Sequence, residues 1–572
     1  MTKFRIWAPK AKAMNLCTDN GEYQMIPERD GFWHIELKNL KHPVLYAYKI
    51  DKSGPYPDPA SRFQPEGVHG RSQLWQDDFE WHDQNWQVPA LKDAIIYEVH
   101  TGTFTQHGTF AGIIDKLDYL TELGITHLEL MPVAAFPGNR GWGYDGVALY
   151  APHSSYGTPD DLKRLVDACH QRGLAVILDV VYNHLGPDGN YLGLYGHYFA
   201  HRYHTPWGDA VNFDGAYSDQ VREFVIDNAL MWLRDFHFDG LRLDAVHAIF
   251  DFSAVHILEE LQTRVDRLSA TTGRSYSLIA ESCLNDPRIL ENPQRGGYGL
   301  AAQWLDDFHH AVHVMLTGEQ QGYYIDFAGH ADLDKCLNDY FICDGRYSTY
   351  RKRRHGRSAT ALPPERFIVS TQTHDQVGNR GNGERLCHLT SLHNCQIAAA
   401  LMLLSPFVPM LFQGEEWAAS TPFLYFTDHV DKGLAKAVRE GRKRDYAFLG
   451  GKVPDPQAAT TFRRSILKWS ETADTEHGAM IEWYKKLIDL RRQYLDEIRK
   501  SRRSFRPARS SKDVYVYDAG RIKVLVNPDG RSASFADASL ARARIIMQNR
   551  PVSVEDDILT LLPGCAAIIL TD

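Results

Sequence analysis

Residues 236–252 read "FHFDGLRLDAVHAIFDF", an apolar run interrupted by Arg242 and Asp244, two positions apart. A continuous apolar run of this kind suits a strand covered on both faces. Residues i and i+2 of a strand project to one face, so the guanidinium and the carboxylate point the same way. An unpaired charge in an apolar interior is strongly unfavourable. The pair makes sense if the strand emerges at the rim of a sheet, where both charges are used.

Working outward, the same kind of segment recurs. "IIYE" (95–98), "ITHLEL" (125–130), "LAVILDVV" (174–181), "YSLIAES" (276–282), "AQWL" (302–305), "RFIVSTQ" (366–372) and "VPMLF" (408–412) are all short and apolar. Helical faces lie between most of them: Leu117, Leu120 and Leu123; Leu162, Leu165, Val166 and Cys169; residues 221–233; Leu258, Leu261 and Val265; and "CQIAAALMLL" (395–404). Gly124 and Gly173 follow the first two as helix stops. Eight strands alternating with helices predict an α/β chain, a (β/α)8 TIM barrel rather than an open sheet.

The barrel is expected over residues 89–500, with insertions at 182–217 and 318–365 and a closing helix near 478–497. Residues 1–88 alternate in short segments such as "KFRIWAP" and "VLYAYKI" around the turn cluster "DKSGPYPDP", and predict an N-terminal β-sandwich. Residues 501–572, with an "NPDG" turn, predict a C-terminal β module.

The chain has 572 residues and a formal net charge of −9, which argues against a polyanion partner. The basic run 351–354 is expected to be a solvated loop. The N-terminal segment lacks the apolar core of a secretory signal, and no stretch approaches a membrane span. The eight cysteines form no CxxC pair and no cluster at zinc spacing. Reduced thiols in a cytoplasmic protein are the simplest account. Aromatic residues at 12% are compatible with a site where rings stack on sugars.

Barrel chemistry comes from the carboxyl ends of the strands. The third strand ends in Asp179, with Asn183 and His184 beyond. The fourth ends in Arg242 and Asp244, followed by His247. The fifth ends in Glu281, and the seventh in His374 and Asp375. Each acidic residue alone reads as a cap or a loop ion pair. Three of them, with two histidines and an arginine, read as a glycoside-cleaving set. Arg242 would keep Asp244 ionised as a nucleophile. An apolar setting would raise Glu281 into the range of a general acid. Neutral His184 and His374 would donate hydrogen bonds to sugar hydroxyls. Asp179, Asn183, Asp244 and Asp375 lack the compact spacing of a calcium loop, so no metal and no other cofactor is expected. GxSxG and Walker A patterns are absent.

The strand ends "DVVYNH" (179–184), "GLRLDAVH" (240–247), "LIAES" (278–282) and "STQTHDQ" (370–376) resemble, in order, the four short motifs of the α-amylase family. The resemblance implies Asp244 as nucleophile, Glu281 as acid/base and Asp375 as the carboxylate stabilising the transition state. It places Tyr144, His184, Arg242 and His374 around the sugar being cleaved, and brings Leu243, Ala245, Val246, His247, Gln376 and Asn379 into the substrate-contacting set. "FPGNRGWGYDG", "TPWGDAVNFDG", "AQWLDDFHHAVHVMLTGEQQGYYIDF" and "DGRYSTYRKRRHG" are similar to one branch of that family, the maltooligosyltrehalose trehalohydrolases. That likeness implies a maltooligosyltrehalose substrate, an α-glucan ending in trehalose. It also implies a maltooligosyltrehalose synthase as pathway partner, and a trehalose end held by Asp306, Asp307, Phe308, His309 and His310. The same five residues read as a helix start capped by Asp306 or Asp307. Glycogen branching or debranching enzymes share the four motifs and are the alternative, and a non-catalytic barrel is a remote third. Cys283 departs from the family pattern, where an acidic or amide residue is expected, and "FADASLARARIIM" matches only in general character.

Overall fold

The computed structural model describes residues 2–571 apart from 206, 447–452, 502, 509–510, 529 and 542. Asp529 of the expected "NPDG" turn, Arg542 of "FADASLARARIIM" and Pro206 of "TPWGDAVNFDG" therefore lie outside the described residues.

Eight parallel strands close into a barrel: β1 (Ile96–Val99), β2 (His127–Leu130), β3 (Ala175–Val180), β4 (Gly240–Leu243), β5 (Ser277–Ala280), β6 (Ala302–Trp304), β7 (Phe367–Ser370) and β8 (Val408–Phe412). They pair in sequence order, and β8 returns to β1. The helices between them are locally specified. Pro159–Gln171 begins with a capping box in which Thr158 and Asp161 satisfy each other's backbone N–H groups, with Pro159 in the first turn. The short helix Leu117–Leu123 stops at Gly124, whose φ of 100° an L side chain rarely adopts.

Side chains alternate across each strand, so inward-facing residues stack in layers. Ile96, Ile177, Ile279, Ala302, Trp304, Ile368, Val408 and Met410 pack as one apolar cluster inside the barrel. Two residues beyond Ile96 and Ile177 come Glu98 and Asp179; Arg242 is level with Asp179 in the register of β3 and β4, and Glu129 with Glu98 in that of β1 and β2. The barrel interior thus changes from apolar to ionic towards its carboxyl end.

The N-terminal β strands form two sheets. Thr2–Trp7, Phe32–Leu37 and Ile26–Pro27 make one, and Met14–Thr18 and Val44–Ile50 centre the other. This module grips the 182–217 insertion. Tyr195 Oη donates to Pro57 O at 2.9 Å, and His69 Nε2 meets Asp188 Oδ1 at 2.9 Å. Gly196 lies so close under Trp7 that a Cβ there would sit 2.4 Å from the indole. After the 26-residue helix Thr475–Lys500, two further sheets form the C-terminal module, with their own buried cluster of Leu525, Phe535, Leu559 and Ile569.

Candidate active site

Arg242 explains the opening run, although not at the rim. Its side chain is wholly buried, one layer below the barrel mouth, with its guanidinium 4.2 Å from the centre of the Trp304 ring. The rim position expected for it belongs to Asp244 alone, because the strand advances one layer every two residues. Arg242 Nη1 donates to Asp179 Oδ2 and to Asp244 Oδ1, each at 2.8 Å, and Nη2 lies 3.9 Å from Glu281 Oε2. One cation therefore serves three carboxylates on three adjoining strands. Burial still pushes Asp179 up to about 7, against the pull of Arg242. Burial, with neighbouring Glu98 and Asp179, raises Glu129 well above the usual carboxylate range.

Asp244 is fixed from a second side. Asn183 Nδ2 donates to its Oδ2 at 2.8 Å. The next residue, Ala245, has φ 39° and ψ 51°, a left-handed conformation unusual for alanine. That turn aims the Ala245 N–H at Glu281 Oε2, 2.5 Å away. The strained residue after Asp244 is thus what ties Asp244 to Glu281. Burial, with Asp244 nearby and against Arg242, raises the pKa of Glu281 above the ordinary glutamate range, as a proton donor requires. Asp375 completes the group at the start of the helix His374–Gly378, with its Oδ1 accepting from Asn379 Nδ2 at 2.9 Å.

The histidines are occupied differently from the sequence expectation. His374 Nδ1 meets Glu98 Oε1 at 2.5 Å, and its Nε2 lies 2.8 Å from Tyr144 Oη. Burial disfavours its charge, but the Glu98 and Asp375 carboxylates outweigh burial and push its pKa up to about 9. His374 is therefore a cation, not the neutral donor expected. Tyr144 Oη donates to Asp179 Oδ2 at 2.7 Å, which links the two buried networks. Burial lowers the pKa of His184, in the direction expected, yet its ring nitrogens face Asn183 Oδ1 and Tyr144 O at 2.5 and 3.0 Å. Both histidines line the first lobe, while their ring nitrogens also meet protein groups that hold the rings in place.

Above this floor the cleft has two lobes that share Cys283, Asp375 and Asn379. The first, of about 410 Å³, holds Asp244, Ala245, His247 and Glu281 between Trp142, Tyr144, Tyr425 and Phe426. Trp207 closes one side, its ring stacked on His184 at 4.6 Å. The second lobe, of about 350 Å³, is walled by Asp306, His310, Gln376 and by Tyr323, Phe327, Tyr350 and Arg351 from the 318–365 insertion. Burial, then Glu281 and Asp375, raise Asp306 to about 7. Burial lowers His310 to about 3, and its Nδ1 has no hydrogen-bond partner among the described residues. The pair offers a sugar one titrating carboxyl and one neutral imidazole.

Several expected contacts lie elsewhere. Leu243 and Val246 are buried and line neither lobe, since Leu243 alternates away from Arg242 and Asp244. Phe308 packs against Phe407 in the core. His309 is spent on Thr371 O and Tyr324 Oη, at 2.8 and 3.0 Å. Both lie on the inner face of the helix Asp306–Thr317, so only Asp306, Asp307 and His310 of the five reach the cleft. Neither aspartate caps that helix. Leu305 is the cap residue, and Asp307 Oδ2 instead accepts from Asn285 Nδ2 and from the backbone N–H groups of Ile342 and Cys343. Cys283 lines both lobes, and its carbonyl accepts from His355 Nε2 at 2.8 Å.

Other residues went unread. Arg351, expected in a solvated loop, lines the second lobe, while residues 352–354 are exposed as expected. Glu98 pairs with a residue 276 positions away. The aromatic cluster "GYYIDF" (322–327) was the one available hint of a built wall in the insertion.

Two family models match the chain: "Alpha amylase, catalytic domain" over residues 73–193, and "Carbohydrate-binding module 48 (Isoamylase N-terminal domain)" over residues 1–62. The malto-oligosyltrehalose trehalohydrolase of Saccharolobus solfataricus is 49% identical over 492 residues, covering 86% of this chain and 85% of that protein. The enzyme of the same name from Rhizobium sp. (strain M-11) is 48% identical over 503 residues, covering 86% and 84%. A crystal structure of an α-amylase-type protein from Salmonella typhimurium superposes with a TM-score of 0.91 at 37% identity, covering all of this chain and 97% of the other. With the closed barrel and the carboxylate rim in place, this degree of similarity over most of both lengths is decisive: the chain belongs to the malto-oligosyltrehalose trehalohydrolases, glycoside hydrolases built on the α-amylase catalytic domain.

Proposed function

We propose that the chain hydrolyses the α-1,4 bond next to a terminal trehalose unit of maltooligosyltrehalose, with retention at the anomeric carbon. The observation that carries this reading is the division of the cleft at Asp375. An aromatic-walled lobe holding Asp244 and Glu281 lies on one side, and a lobe with Asp306, His310, Tyr323 and Arg351 on the other. The glucan occupies the first lobe and the trehalose unit the second.

In the first step, an Asp244 carboxylate oxygen attacks the anomeric carbon while Glu281 gives its proton to the glycosidic oxygen, and trehalose leaves. Arg242 Nη1 and Asn183 Nδ2 hold the Asp244 carboxylate in place, and burial shifts Glu281 towards its proton-carrying form. In the second step, Glu281, now a carboxylate, takes a proton from water as that water displaces Asp244. The maltooligosaccharide departs with its original anomeric configuration. Asp375 lies where it can stabilise the positive charge that develops on the ring. A reaction that creates the terminal α,α-1,1 bond must supply the substrate, which is the chemistry of a maltooligosyltrehalose synthase.

Incubation with maltotriosyltrehalose tests the assignment. Trehalose and maltotriose in equal amounts are expected. Branched or debranched glucan with no free trehalose would refute it.

A further inference from the structure

One wall of the acceptor lobe is built by the insertion 318–365, and that insertion does not stand on the barrel alone. Its central helix, His330–Asp339, lies against the first strand of the C-terminal module, Ser504–Pro507. Phe505 N donates to Asp334 Oδ1 at 2.7 Å, and Arg503 Nε donates to Leu337 O at 3.0 Å. The rings of His330 and Tyr515 meet at 4.8 Å. The helix is thus held at both ends and at its middle by residues 503–515.

From the other face of this helix, a chain of polar contacts runs to the cleft. Asp332 Oδ1 accepts from Arg346 Nη1 at 2.9 Å, and Arg346 Nη2 donates to Asp326 O at 2.5 Å. The Asp326 carboxylate receives Ser348 Oγ, Thr349 N and Tyr350 N, at 2.5, 2.6 and 3.2 Å. Phe327, Tyr350 and Arg351 are the wall residues next to these contacts. Asp334 and Arg346 themselves touch neither lobe.

We infer that the C-terminal β module is a brace for the acceptor lobe, acting through Asp334, the helix His330–Asp339, Arg346 and Asp326 to set where Tyr350 and Arg351 stand. Asp334 and Arg346 are positioning residues: they govern how tightly the leaving disaccharide is held, and leave the three carboxylates untouched. The N-terminal module's grip on the 182–217 insertion is the counterpart on the glucan side. The inference rests on assigning trehalose to this lobe, so its test carries one readout that needs no substrate.

Hydrogen exchange supplies that readout. Asp334→Ala removes the acceptor for Phe505 N, and exchange at residues 347–351 is expected to quicken while residues 240–247 stay as in the parent. Asp334→Asn keeps an acceptor oxygen and is expected to restore the parent pattern. In kinetics, the alanine variant should raise both the trehalose inhibition constant and the KM for maltotriosyltrehalose about fivefold, the equivalent of one hydrogen bond. Its kcat and its rate on α-maltosyl fluoride, whose leaving group fills no acceptor lobe, should not change. Unaltered exchange at 347–351 would overturn the brace, as would equal losses on both substrates. If the parent itself is not inhibited by trehalose, the functional reading fails, and the exchange data still decide the brace.

Discussion

Glu281→Gln separates proton donation from every other property of the site. The replacement keeps the shape and one oxygen able to accept the Ala245 N–H, now 2.5 Å from Oε2. The proton is lost. General acid–base catalysis contributes about 10² to 10⁴ in rate, which is about 2.7 to 5.4 kcal/mol of barrier. Turnover of maltotriosyltrehalose, whose sugar leaving group needs a proton, should fall by that factor. Maltosyl fluoride leaves without one, so its first step should be nearly unaffected and a glycosyl-enzyme should accumulate. Stability should move the other way. A carboxyl whose folded pKa is raised has its full stability below the unfolded value, near 4.3, and loses stability as pH rises through the folded value. The neutral amide escapes that loss, so the variant should unfold at a slightly higher temperature at pH 8 and not at pH 4. Steady-state kinetics on the two substrates, with thermal unfolding at both pH values, check the reasoning. A variant that keeps a tenth of parental turnover on the oligosaccharide would refute it.

Arg242→Met strands Asp179 and Asp244 without their shared cation, and should cost about 3–5 kcal/mol in urea unfolding. His374 has its pKa at about 9 in the folded chain, against an unfolded value near 6.5. Its stabilising contribution is full below pH 6.5 and vanishes as pH rises through 9. The unfolding free energy of the parent minus that of His374→Gln should therefore shrink across this interval, as pH-dependent urea titrations will read. Asp306 titrates at about 7 in the acceptor lobe, so the parental KM should change between pH 6 and 8. Asp306→Asn should give a KM that is flat over that range.

The barrel was legible because its evidence is local: apolar runs, a helical period between them and glycine stops. The three rim carboxylates were legible for a related reason, since each ends such a run. Depth was not. A period of two places Arg242 and Asp244 on one face and leaves open which of them is buried and which is at the mouth. That difference turns on how far β4 extends relative to β3 and β5. Long-range partners were equally hidden. Nothing near His374 in the sequence announces Glu98, and without that carboxylate the ring reads as neutral. In "DDFHH" the helical period sorts the side chains: Asp306 and His310, four apart, share the face towards the cleft, while Phe308 and His309 turn to the core. Arg351 was misread because a run of four basic residues averages one wall residue with three solvated ones.

The central claim is that Asp244, the rim carboxylate that accepts a hydrogen bond from Arg242 Nη1 at 2.8 Å, forms the covalent bond to sugar. A maltosyl fluoride bearing fluorine on the reacting ring lets the first displacement proceed and slows the second, so the adduct can be digested and sequenced by mass spectrometry. The account predicts one glucan-derived mass addition, on the peptide containing Asp244, at the Asp244 side chain. An adduct on Glu281 or Asp375, or no adduct together with an inverted product anomer, would contradict it.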